Sequence, residues 1–345
     1  MNSGINGFGR FGLHLLRYWL ERRDQACFEI TYINDDVLTL QQAAAIAAGD
    51  RYAALGESKV ATQGDCLVIR EPGRAPHRIR YTNTPSQAIP WIGDVDLLFE
   101  CSGKNTTRRS CERFLRGRTR LVIISATSWD ADKTLIYGYN HHTFSVDDRV
   151  VSYGSCTVNA YVPLANFLHS RYGVEDSDVH VIHNVPEYRL AESQTLKRRE
   201  CTLERSGPNL LAFLSPDRFK VMYTVVPYTG VSMLDFRFRL QKPVNTAQLV
   251  EALEGACERG ELRGLYALEE VDRGPEVHNC TPYSAVFIKS ALQVAGRNAY
   301  LAGYFDTENS ANRYYDLANY LASLIGYSCH PSRHTASLSG GAATP

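Results

Sequence analysis

The amino-acid sequence predicts an α/β protein of two domains, the first built on a parallel sheet and the second an α+β unit with a mostly antiparallel sheet. A glycine-rich turn near residue 7 is followed by an amphipathic stretch and a strand, which is a βαβ pattern. Apolar runs at 96–101 and 120–125 are typical of strands covered on both faces. Past residue 178 the strands are longer, and the run at 232–240 alternates in hydrophobicity, which favours an antiparallel sheet.

The first segment has the parts of a Rossmann-type dinucleotide-binding domain. Gly7, Gly9 and Gly12 have the GxGxxG spacing, and the strand after the amphipathic helix ends in Asp35. The first glycine allows a tight turn, the second lets backbone approach a pyrophosphate, and the third permits close helix–strand packing. Asp35 can accept hydrogen bonds from ribose hydroxyls and would repel a 2′-phosphate, so the pattern favours NAD over NADP. A glycine-rich turn without a ligand is the alternative.

Further ligand contacts are expected where the later parallel strands end. Ligands of such sheets gather at the carboxyl ends of the strands. That rule singles out Ser102 and Gly103 after the first apolar run, and Ser125 and Thr127 at the end of the second. The stretch at 106–116 between them is predicted to be a helix.

The chain divides into an NAD-binding domain at 1–155 and a catalytic domain at 156–308. A helix at about 309–327 is expected to pack back on the first domain, and 330–345 is rich in Ser, Ala and Gly and is predicted to be a disordered tail. The polar stretch at 191–216 is predicted to be an irregular loop, and a loop of that length in a compact domain is usually functional.

The length, charge balance and cysteine content of the chain limit what kind of protein it is and which partners it is expected to bind. The 345 residues are 44% hydrophobic, enough for two domains with cores, and Lys+Arg and Asp+Glu are both 37. This balance gives no indication of a nucleic-acid or membrane partner, and the sequence has neither an apolar run of membrane-spanning length nor a signal-peptide pattern. Nine scattered cysteines without CxxC argue against a disulfide framework and against a metal site, so a cytoplasmic location is expected.

The stretch 152–160 is the strongest candidate for chemistry. A short extended run leads into it, and apolar residues at helical spacing follow, so Cys156 is predicted in the first turn of a helix with Ser155 as its N-cap. The partial positive charge of a helix N-terminus favours a thiolate over a thiol, which would make Cys156 a nucleophile. The alternative is a small buried apolar cysteine.

Several segments, in order, carry a family resemblance. They are Asn6-Gly7-Phe8-Gly9-Arg10, Ile33-Asn34-Asp35, Glu100-Cys101-Ser102-Gly103 with Thr106-Thr107, Ser125-Ala126, Gly138-Tyr139-Asn140-His141 and, most specific, Ser155-Cys156-Thr157-x-Asn159. Through these motifs residues 4–327 resemble the glyceraldehyde-3-phosphate dehydrogenase family. The resemblance implies a soluble homotetramer that takes a small aldehyde and, as acceptor, phosphate or water.

The resemblance also implies roles for residues. Cys156 would attack the aldehyde, a hydride would pass to NAD, and a thioester would remain. His183, 27 residues beyond Cys156, stands where the family has its base, whereas His180 lies on the opposite face by the strand period of two. Taken alone, a strand histidine is more often structural. The implied cofactor-binding residues are Asn6, Gly7, Phe8, Gly9, Arg10, Phe11, Asp35, Ser102, Gly103, Ser125 and Thr307.

Departures from the family pattern affect the anion sites and the nicotinamide site. The family's phosphate-binding arginine aligns with Thr224, and 211–216 stands in place of its S-S-T-G cradle. The nicotinamide-orienting asparagine aligns with Thr307, unless Asn309 or Asn312 substitutes.

Other residues are candidates for holding an anion. Ser155 and Thr157 remain and could hold one, and Arg189 or Arg199 could supply a guanidinium, as could Arg198 and Arg205, although any single one of them can equally be a solvated loop charge.

Two functions therefore stand as hypotheses. The first is an NAD-dependent dehydrogenase that oxidises glyceraldehyde 3-phosphate or a related anionic aldehyde through a Cys156 thioester, with phosphate as the expected acceptor. The second is a catalytically weak NAD-binding homologue with a regulatory or interaction role, which the altered phosphate sites motivate.

Overall fold

A computed structural model describes residues 1–50, 55, 58–185, 196–228 and 230–329. Its α-helices are α1 (Arg10–Glu21), α2 (Leu40–Gly49), α3 (Arg108–Cys111), α4 (Cys156–Tyr172), α5 (Thr202–Leu210), α6 (Thr246–Glu258) and α7 (Ala311–Cys329). The first sheet contains β1 (Asn2–Asn6), β2 (Glu29–Asn34), β3 (Lys59–Gln63), β4 (Cys66–Arg70), β5 (His77–Thr82), β6 (Leu97–Glu100), β7 (Leu121–Ile124), β8 (Lys133–Thr134) and β9 (Val150–Ser152). The second contains β10 (Val174–His183), β11 (Lys197–Arg198), β12 (Phe219–Val225), β13 (Ser232–Leu240), β14 (Tyr266–Glu269), β15 (Ala285–Ile288), β16 (Gln293–Ala295) and β17 (Asn298–Phe305).

The first sheet is parallel through its centre, as predicted. Its order is β3-β4-β5-β2-β1-β6-β7-β9-β8, and only the β3–β4–β5 end runs antiparallel. The chain goes from β1 through α1 to β2 on one side, whereas β6 pairs with the other side of β1. The strand order therefore reverses at β1 and β6, and ligands of such sheets bind in the crevice at that reversal.

The second sheet is mixed and mostly antiparallel, again as predicted. Its order is β11-β12-β10-β13-β17-β15-β14, with β16 paired to β17. The β10–β12 and β14–β15 pairs are parallel, and the β10–β13–β17 centre is antiparallel. The α4 helix packs on one face of this sheet, where the fully buried ring of Tyr161 lies 5.1 to 5.5 Å from the rings of Phe219, Phe236 and Phe238.

The core of the first sheet includes the last helix. α7 packs against α1, and Tyr314, Leu317, Ala318 and Leu321 are buried with Leu13 and its neighbours in one apolar cluster. The helix predicted at about 309–327 therefore exists and lies on the first sheet. Within the described part of the chain, none of the helices combines the length and apolar character that a membrane crossing requires.

Two local predictions hold only in part and one lies outside the described residues. The helix candidate at 106–116 is helical from 108 to 114, as the one-turn α3 followed directly by a 3-10 turn at Glu112–Phe114. The polar 191–216 stretch is not wholly irregular, because it contains β11 and α5, and the hydrophobic side of α5 packs on α4 and β12. The predicted tail at 330–345 lies outside the described residues.

We expect Leu321→Ala to lower the free energy of unfolding by about 2 to 5 kcal/mol, because the fully buried side chain would leave a cavity between α7 and the first sheet. Urea unfolding followed by circular dichroism measures this change. Val146→Ala is the control, since Val146 is 57% exposed and its truncation should change stability by less than about 0.5 kcal/mol. Equal effects of the two substitutions would contradict the role assigned to α7.

Candidate functional site

Cys156 is the first residue of α4, and the chain before it is held in a defined turn. Ser155 is the N-cap, and its side chain accepts a hydrogen bond from the Val158 amide, as predicted. Gly154 has φ +84°, a left-handed conformation that a side chain would strain. The Asn159 side chain donates to the carbonyls of Tyr153 and Ser155, both at 2.9 Å. These hydrogen bonds fix the direction in which the Cys156 side chain projects from the helix.

The first turns of α4 are also secured from the second sheet. Pro163 has no amide hydrogen, so the carbonyl of Asn159 lacks its usual partner within the helix. The hydroxyl of Tyr266 lies 3.3 Å from that carbonyl and 3.0 Å from the carbonyl of Ala160, and it accepts from the amide of Leu164 at 3.2 Å. A buried tyrosine on β14 thus compensates the helix for its internal proline.

Cys156 faces the histidine that the sequence favoured. The Sγ atom of Cys156 lies 3.8 Å from Nε2 of His183, the last residue of β10. The other ring nitrogen, Nδ1, is 2.9 Å from the carbonyl oxygen of Asn184, and a carbonyl only accepts hydrogen bonds. The proton of the neutral ring is therefore on Nδ1, and Nε2 presents a lone pair to the sulfur. His180 points to the other face of the sheet, where Nε2 is 3.4 Å from Thr224 Oγ1.

Asn184 is a residue that the sequence analysis did not single out. Its amide donates to the hydroxyl of Ser232 at 3.1 Å, and its side chain donates to the carbonyl of Gly230 and to Asp306 Oδ1, the latter at 3.4 Å. These contacts hold the carbonyl that fixes the tautomer of His183. No sequence motif marks Asn184, because its contribution is made by its backbone.

Thr307 completes the immediate surroundings of the sulfur. Its hydroxyl lies 3.6 Å from Cys156 Sγ and 3.4 Å from His183 Nε2. The two asparagines that were alternatives to it are engaged elsewhere: Asn309 donates to the carbonyl of His278, and Asn312 donates to the carbonyl of Thr281 and accepts from Arg22.

Burial decides the charge of Cys156 in the free protein. Desolvation raises the pKa of the thiol to about 11, although the hydroxyl of Thr307 and the backbone amides of Thr157 and Cys156 lower it. Burial also lowers the pKa of His183. The amides at the helix N-terminus favour the thiolate, as expected, but desolvation has the larger effect and raises the pKa of the thiol. Both shifts favour the neutral forms, a thiol facing an imidazole.

Hydroxyl groups and two helix N-termini meet beside Cys156. Ser155 Oγ is 3.1 Å from Thr157 Oγ1 and accepts from Thr202 Oγ1 at 3.2 Å. Thr202 opens α5, and Cys201 before it lies with its sulfur 3.6 Å from Thr157 Oγ1. In residues 211–216, which stand in the sequence where the family has its phosphate cradle, Leu211 and Leu214 are buried in the apolar core. The α5 N-terminus lies beside Ser155 and Thr157, and the sequence offered no motif for this contact.

The candidate arginines differ in their surroundings. Arg199 is exposed, its amide donates to the carbonyl of Tyr223 at 3.1 Å, and its charge acts on the Tyr223 phenol, whose pKa burial raises. The ring of Tyr223 lies 5.5 Å from that of His183, so Arg199 stands at the edge of the site. Arg205 stacks over the ring of Trp129 at 4.1 Å. Arg189 lies outside the described residues.

The glycine-rich turn closes the crevice at the reversal of the first sheet. A Cβ on Gly7 would lie 2.4 Å from the amide nitrogen of Ser102, and a Cβ on Gly12 would lie 2.3 Å from the carbonyl oxygen of Gly7. Internal packing thus requires both glycines. A Cβ on Gly9 would meet nothing within 4 Å, and Gly9 precedes α1 without a side-chain cap. The open space at Gly9 and the uncapped helix start are what a pyrophosphate needs.

Two carboxylates near this crevice, Asp35 and Glu100, accept hydrogen bonds that hold the surrounding loops in place. Asp35 accepts from the amides of Phe8, Val37 and Leu38 at 2.7, 2.9 and 2.8 Å. A carboxylate offers about four acceptor positions, so one remains for a ribose hydroxyl. Glu100 is buried and accepts from Asn6 at 2.6 Å and from the amide of Ser102 at 3.0 Å. Burial raises the pKa of Glu100.

The other predicted cofactor residues surround the same crevice. Arg10 pairs with Glu308 at 3.3 Å and with Asp50 at 3.5 Å. The ring of Phe11 packs 5.4 Å from that of Tyr153. Gly103 follows Ser102 directly, and the amide of Ser125 donates to the Glu100 carbonyl at 3.0 Å, which holds the ends of β6 and β7 together.

We expect Gly9→Ala to weaken NAD binding about tenfold, equivalent to about 1.4 kcal/mol, while leaving the unfolding midpoint unchanged. The added methyl group would occupy space needed by the pyrophosphate but would contact no protein atom. Gly12→Ala is the matched comparison and should lower stability and binding together. Isothermal titration with NAD measures the affinity. Wild-type affinity in Gly9→Ala would contradict this position for the pyrophosphate.

We expect alkylation of Cys156 in the free protein to accelerate about tenfold per pH unit from pH 7 to 10 and to level off near pH 11, because only the thiolate reacts and the raised pKa keeps it scarce at neutral pH. Short exposure to iodoacetamide followed by peptide mass analysis isolates this residue from the others. Cys156→Ser identifies the adduct. A rate already maximal at pH 8 would show that burial does not control this thiol.

Comparison with known proteins agrees with this architecture. Residues 1–108 match the family model described as "Glyceraldehyde 3-phosphate dehydrogenase, NAD binding domain". The matched residues contain the glycine-rich turn, Asp35 and the strand-end residues Ser102 and Gly103. Because the family model and the geometry of the crevice agree, NAD is the cofactor of this chain.

Whole-length relatives carry the same family name. Glyceraldehyde-3-phosphate dehydrogenase of Cereibacter sphaeroides is 28% identical over 335 residues, and glyceraldehyde-3-phosphate dehydrogenase 1 of Caenorhabditis elegans is 29% identical over 344 residues. Glyceraldehyde-3-phosphate dehydrogenase 1 of Bacillus cereus is 28% identical over 338 residues. Each similarity covers 93% of this chain and 98% of the relative. The chain is thus similar over its N-terminal 108 residues to the NAD-binding domain of that family, and over most of its length to glyceraldehyde-3-phosphate dehydrogenases at 28 to 29% identity.

Proposed function

We propose that this protein is an NAD-dependent dehydrogenase that oxidises glyceraldehyde 3-phosphate or a related anionic aldehyde through a thioester at Cys156. The observation that carries the proposal is the 3.8 Å approach of Cys156 Sγ to the free Nε2 of His183. A buried thiol and an imidazole lone pair in contact are the two parts that a thiol nucleophile and its base require.

The proton path follows from the tautomer of His183. Because Nδ1 donates to Asn184, only Nε2 can accept the thiol proton. As the sulfur bonds to the aldehyde carbon, the C=O π bond breaks, and the thiol proton moves to Nε2 and from there to the new alkoxide oxygen, which gives a hemithioacetal. Nε2 then takes this hydroxyl proton back as the hydride leaves the carbon and the thioester carbonyl forms. Burial lowers the pKa of His183, so the ring stays neutral, and able to act as a base, to a lower pH than an exposed histidine.

NAD, when bound, supplies the hydride acceptor. In this proposal the backbone at Gly9 and the start of α1 hold its pyrophosphate, and Asp35 holds an adenosine ribose hydroxyl. Glu100 and Asn6 keep the ends of β1 and β6 in place around it. Sulfur chemistry at Cys156 then takes place at the junction between this crevice and the second sheet.

The anionic group of the substrate would be bound by the hydroxyls of Ser155, Thr157 and Thr202. Two helix N-termini, those of α4 and α5, add partial positive charge at the same place. Arg199 at the rim supports an anion from the solvent side. Inorganic phosphate, which needs the same donors, is the proposed acceptor of the acyl group. By analogy with the family that the sequence resembles, we also propose that the protein is a homotetramer located in the cytoplasm.

A second candidate is a catalytically weak NAD-binding homologue with a regulatory or interaction role. Two observations favour it: burial raises the pKa of Cys156 to about 11, and Thr224, on the opposite face of the sheet, supplies no guanidinium to the site. Retention of both Cys156 and a correctly oriented His183 favours the enzyme.

We expect the wild-type protein to reduce NAD with glyceraldehyde 3-phosphate or another anionic aldehyde, and we expect His183→Asn to lower kcat by about 10² to 10⁴, the usual contribution of a general base. NADH absorbance measures turnover, with phosphorylated and unphosphorylated aldehydes, each with and without inorganic phosphate. His180→Asn is the matched control, because it removes a histidine of the same strand from the opposite face.

The outcomes separate the two candidates. Stimulation by inorganic phosphate would support the phosphorylating reaction, and turnover without it would indicate hydrolysis. Binding of NAD with no turnover of any aldehyde would favour the regulatory homologue. Full activity of Cys156→Ser would refute the thioester.

A further inference from the structure

We propose that the hydroxyl of Thr307 is a third catalytic group of the sulfur site, which accepts a hydrogen bond from the imidazolium of His183 and donates one to the thiolate of Cys156. This inference rests on the proposed function. It differs from the role implied by alignment, in which the residue at this position orients the nicotinamide.

The geometry is a closed triangle of three polar atoms. Cys156 Sγ and His183 Nε2 are 3.8 Å apart, and Thr307 Oγ1 lies 3.6 Å from the sulfur and 3.4 Å from the nitrogen. A thiolate and an imidazolium at 3.8 Å form a long hydrogen bond, and the hydroxyl oxygen at the third corner lies slightly nearer to each of them than they lie to each other. The hydroxyl is therefore placed to bridge the charges that proton transfer creates.

A hydroxyl has the right capacity for this position. It carries one donor and two acceptor lone pairs, and its hydrogen rotates freely. When the thiol proton moves to Nε2, the S–H bond breaks and an N–H bond forms, while the Thr307 O–H bond stays intact. The new N–H then donates to Oγ1, and the O–H turns its hydrogen toward the sulfur. Both hydrogen bonds involve a charged partner, and such bonds are about twice as strong as neutral ones.

The backbone around Thr307 is fixed from both sheets. Its amide donates to Asp306 Oδ1 at 2.8 Å, and its carbonyl accepts from the hydroxyl of Ser310 at 2.6 Å. Ser310 in turn accepts from the phenol of Tyr153, 3.0 Å away in the turn before Cys156. The segment that carries the hydroxyl and the turn that carries the sulfur are thus joined directly, so the triangle does not depend on a mobile side chain.

Other titratable groups among the described residues also face Cys156, and of these the charge of Glu308 disfavours a negative charge on the sulfur. They are Tyr153 before α4, Cys201 before α5, Tyr223 on β12, and Asp306 and Glu308 between β17 and α7. Burial and the neighbouring Glu308 raise the pKa of Asp306 well above its usual range. Arg10 pairs with Glu308. In such surroundings a hydrogen bond from Thr307 is one of few stabilising contacts for a thiolate.

The test compares Thr307→Val, which keeps the shape and loses the hydroxyl, with Thr307→Ser, which keeps the hydroxyl. The first readout is the rate of Cys156 alkylation by iodoacetamide at pH 8 in the free protein, located by peptide mass. We expect Val to slow it about three- to tenfold, because a thiol pKa about one unit higher leaves less thiolate, partly offset by greater nucleophilicity. Ser should remain within about twofold of wild type.

The second readout is NAD affinity by titration, which we expect to stay within about twofold in both variants. Thr119→Val controls for the loss of a buried threonine hydroxyl away from the site, where Oγ1 donates to the Val95 carbonyl, and it should alkylate as wild type. Wild-type alkylation of Thr307→Val would overturn the inference. So would a loss of NAD affinity with unchanged alkylation, since that result assigns Thr307 to the cofactor.

Measuring Cys156 alkylation in His183→Asn as well distinguishes a failure of this inference from a failure of the proposed function. If His183→Asn slows alkylation and Thr307→Val does not, the Thr307 inference fails and the proposed function stands. If neither substitution slows it and no aldehyde is turned over, the proposed function fails, and the inference with it.

Discussion

The hydrogen bond from His183 Nδ1 to the carbonyl of Asn184 is the contact on which the chemistry of the site depends. It leaves Nε2 as the acceptor that faces Cys156. Were the ring turned or the tautomer reversed, the same two side chains would meet as two donors and no proton could move. The backbone that holds this carbonyl is itself held by Ser232 and by the Asn184 side chain on Asp306, so the end of β10 is a rigid platform.

The segment 306–310 links this platform to the cofactor crevice. Asp306 contacts Asn184, Thr307 contacts the sulfur, Glu308 pairs with Arg10 of α1, and Ser310 contacts Tyr153 before α4. Five consecutive residues therefore connect the last strand of the second sheet, the nucleophile turn and the glycine-rich turn. Any change of position between the two sheets would be transmitted to the sulfur through this segment.

Much of the fold and the centre of the site could be predicted because they rest on local patterns. Glycine spacing, strand periodicity and an N-cap before an apolar helical stretch are short-range signals, and they correctly indicated the parallel sheet and the position of Cys156. The charge of the thiol could not be predicted, because desolvation depends on everything packed around it.

Contacts between residues far apart in the chain could not be predicted from the sequence either. Thr202 reaches Ser155 across 47 residues, and Thr307 reaches Cys156 across 151. The side of the strand on which Thr224 lies depends on the register of β12 with β10. The alignment places Thr224 where the family has its phosphate-binding arginine. In the structure, the alternation of side chains along β12 turns Thr224 to the face that carries His180.

The return of α7 to the first sheet makes that sheet's core discontinuous along the chain. Its apolar cluster draws on residues 5–153 and on residues 311–325, and the whole second sheet is encoded between them. A polypeptide synthesised only as far as β9 lacks the helix that covers α1, so its apolar surface stays exposed until the last helix has been made. Most residues around the cofactor crevice are thus encoded well before the helix that completes the core beneath them.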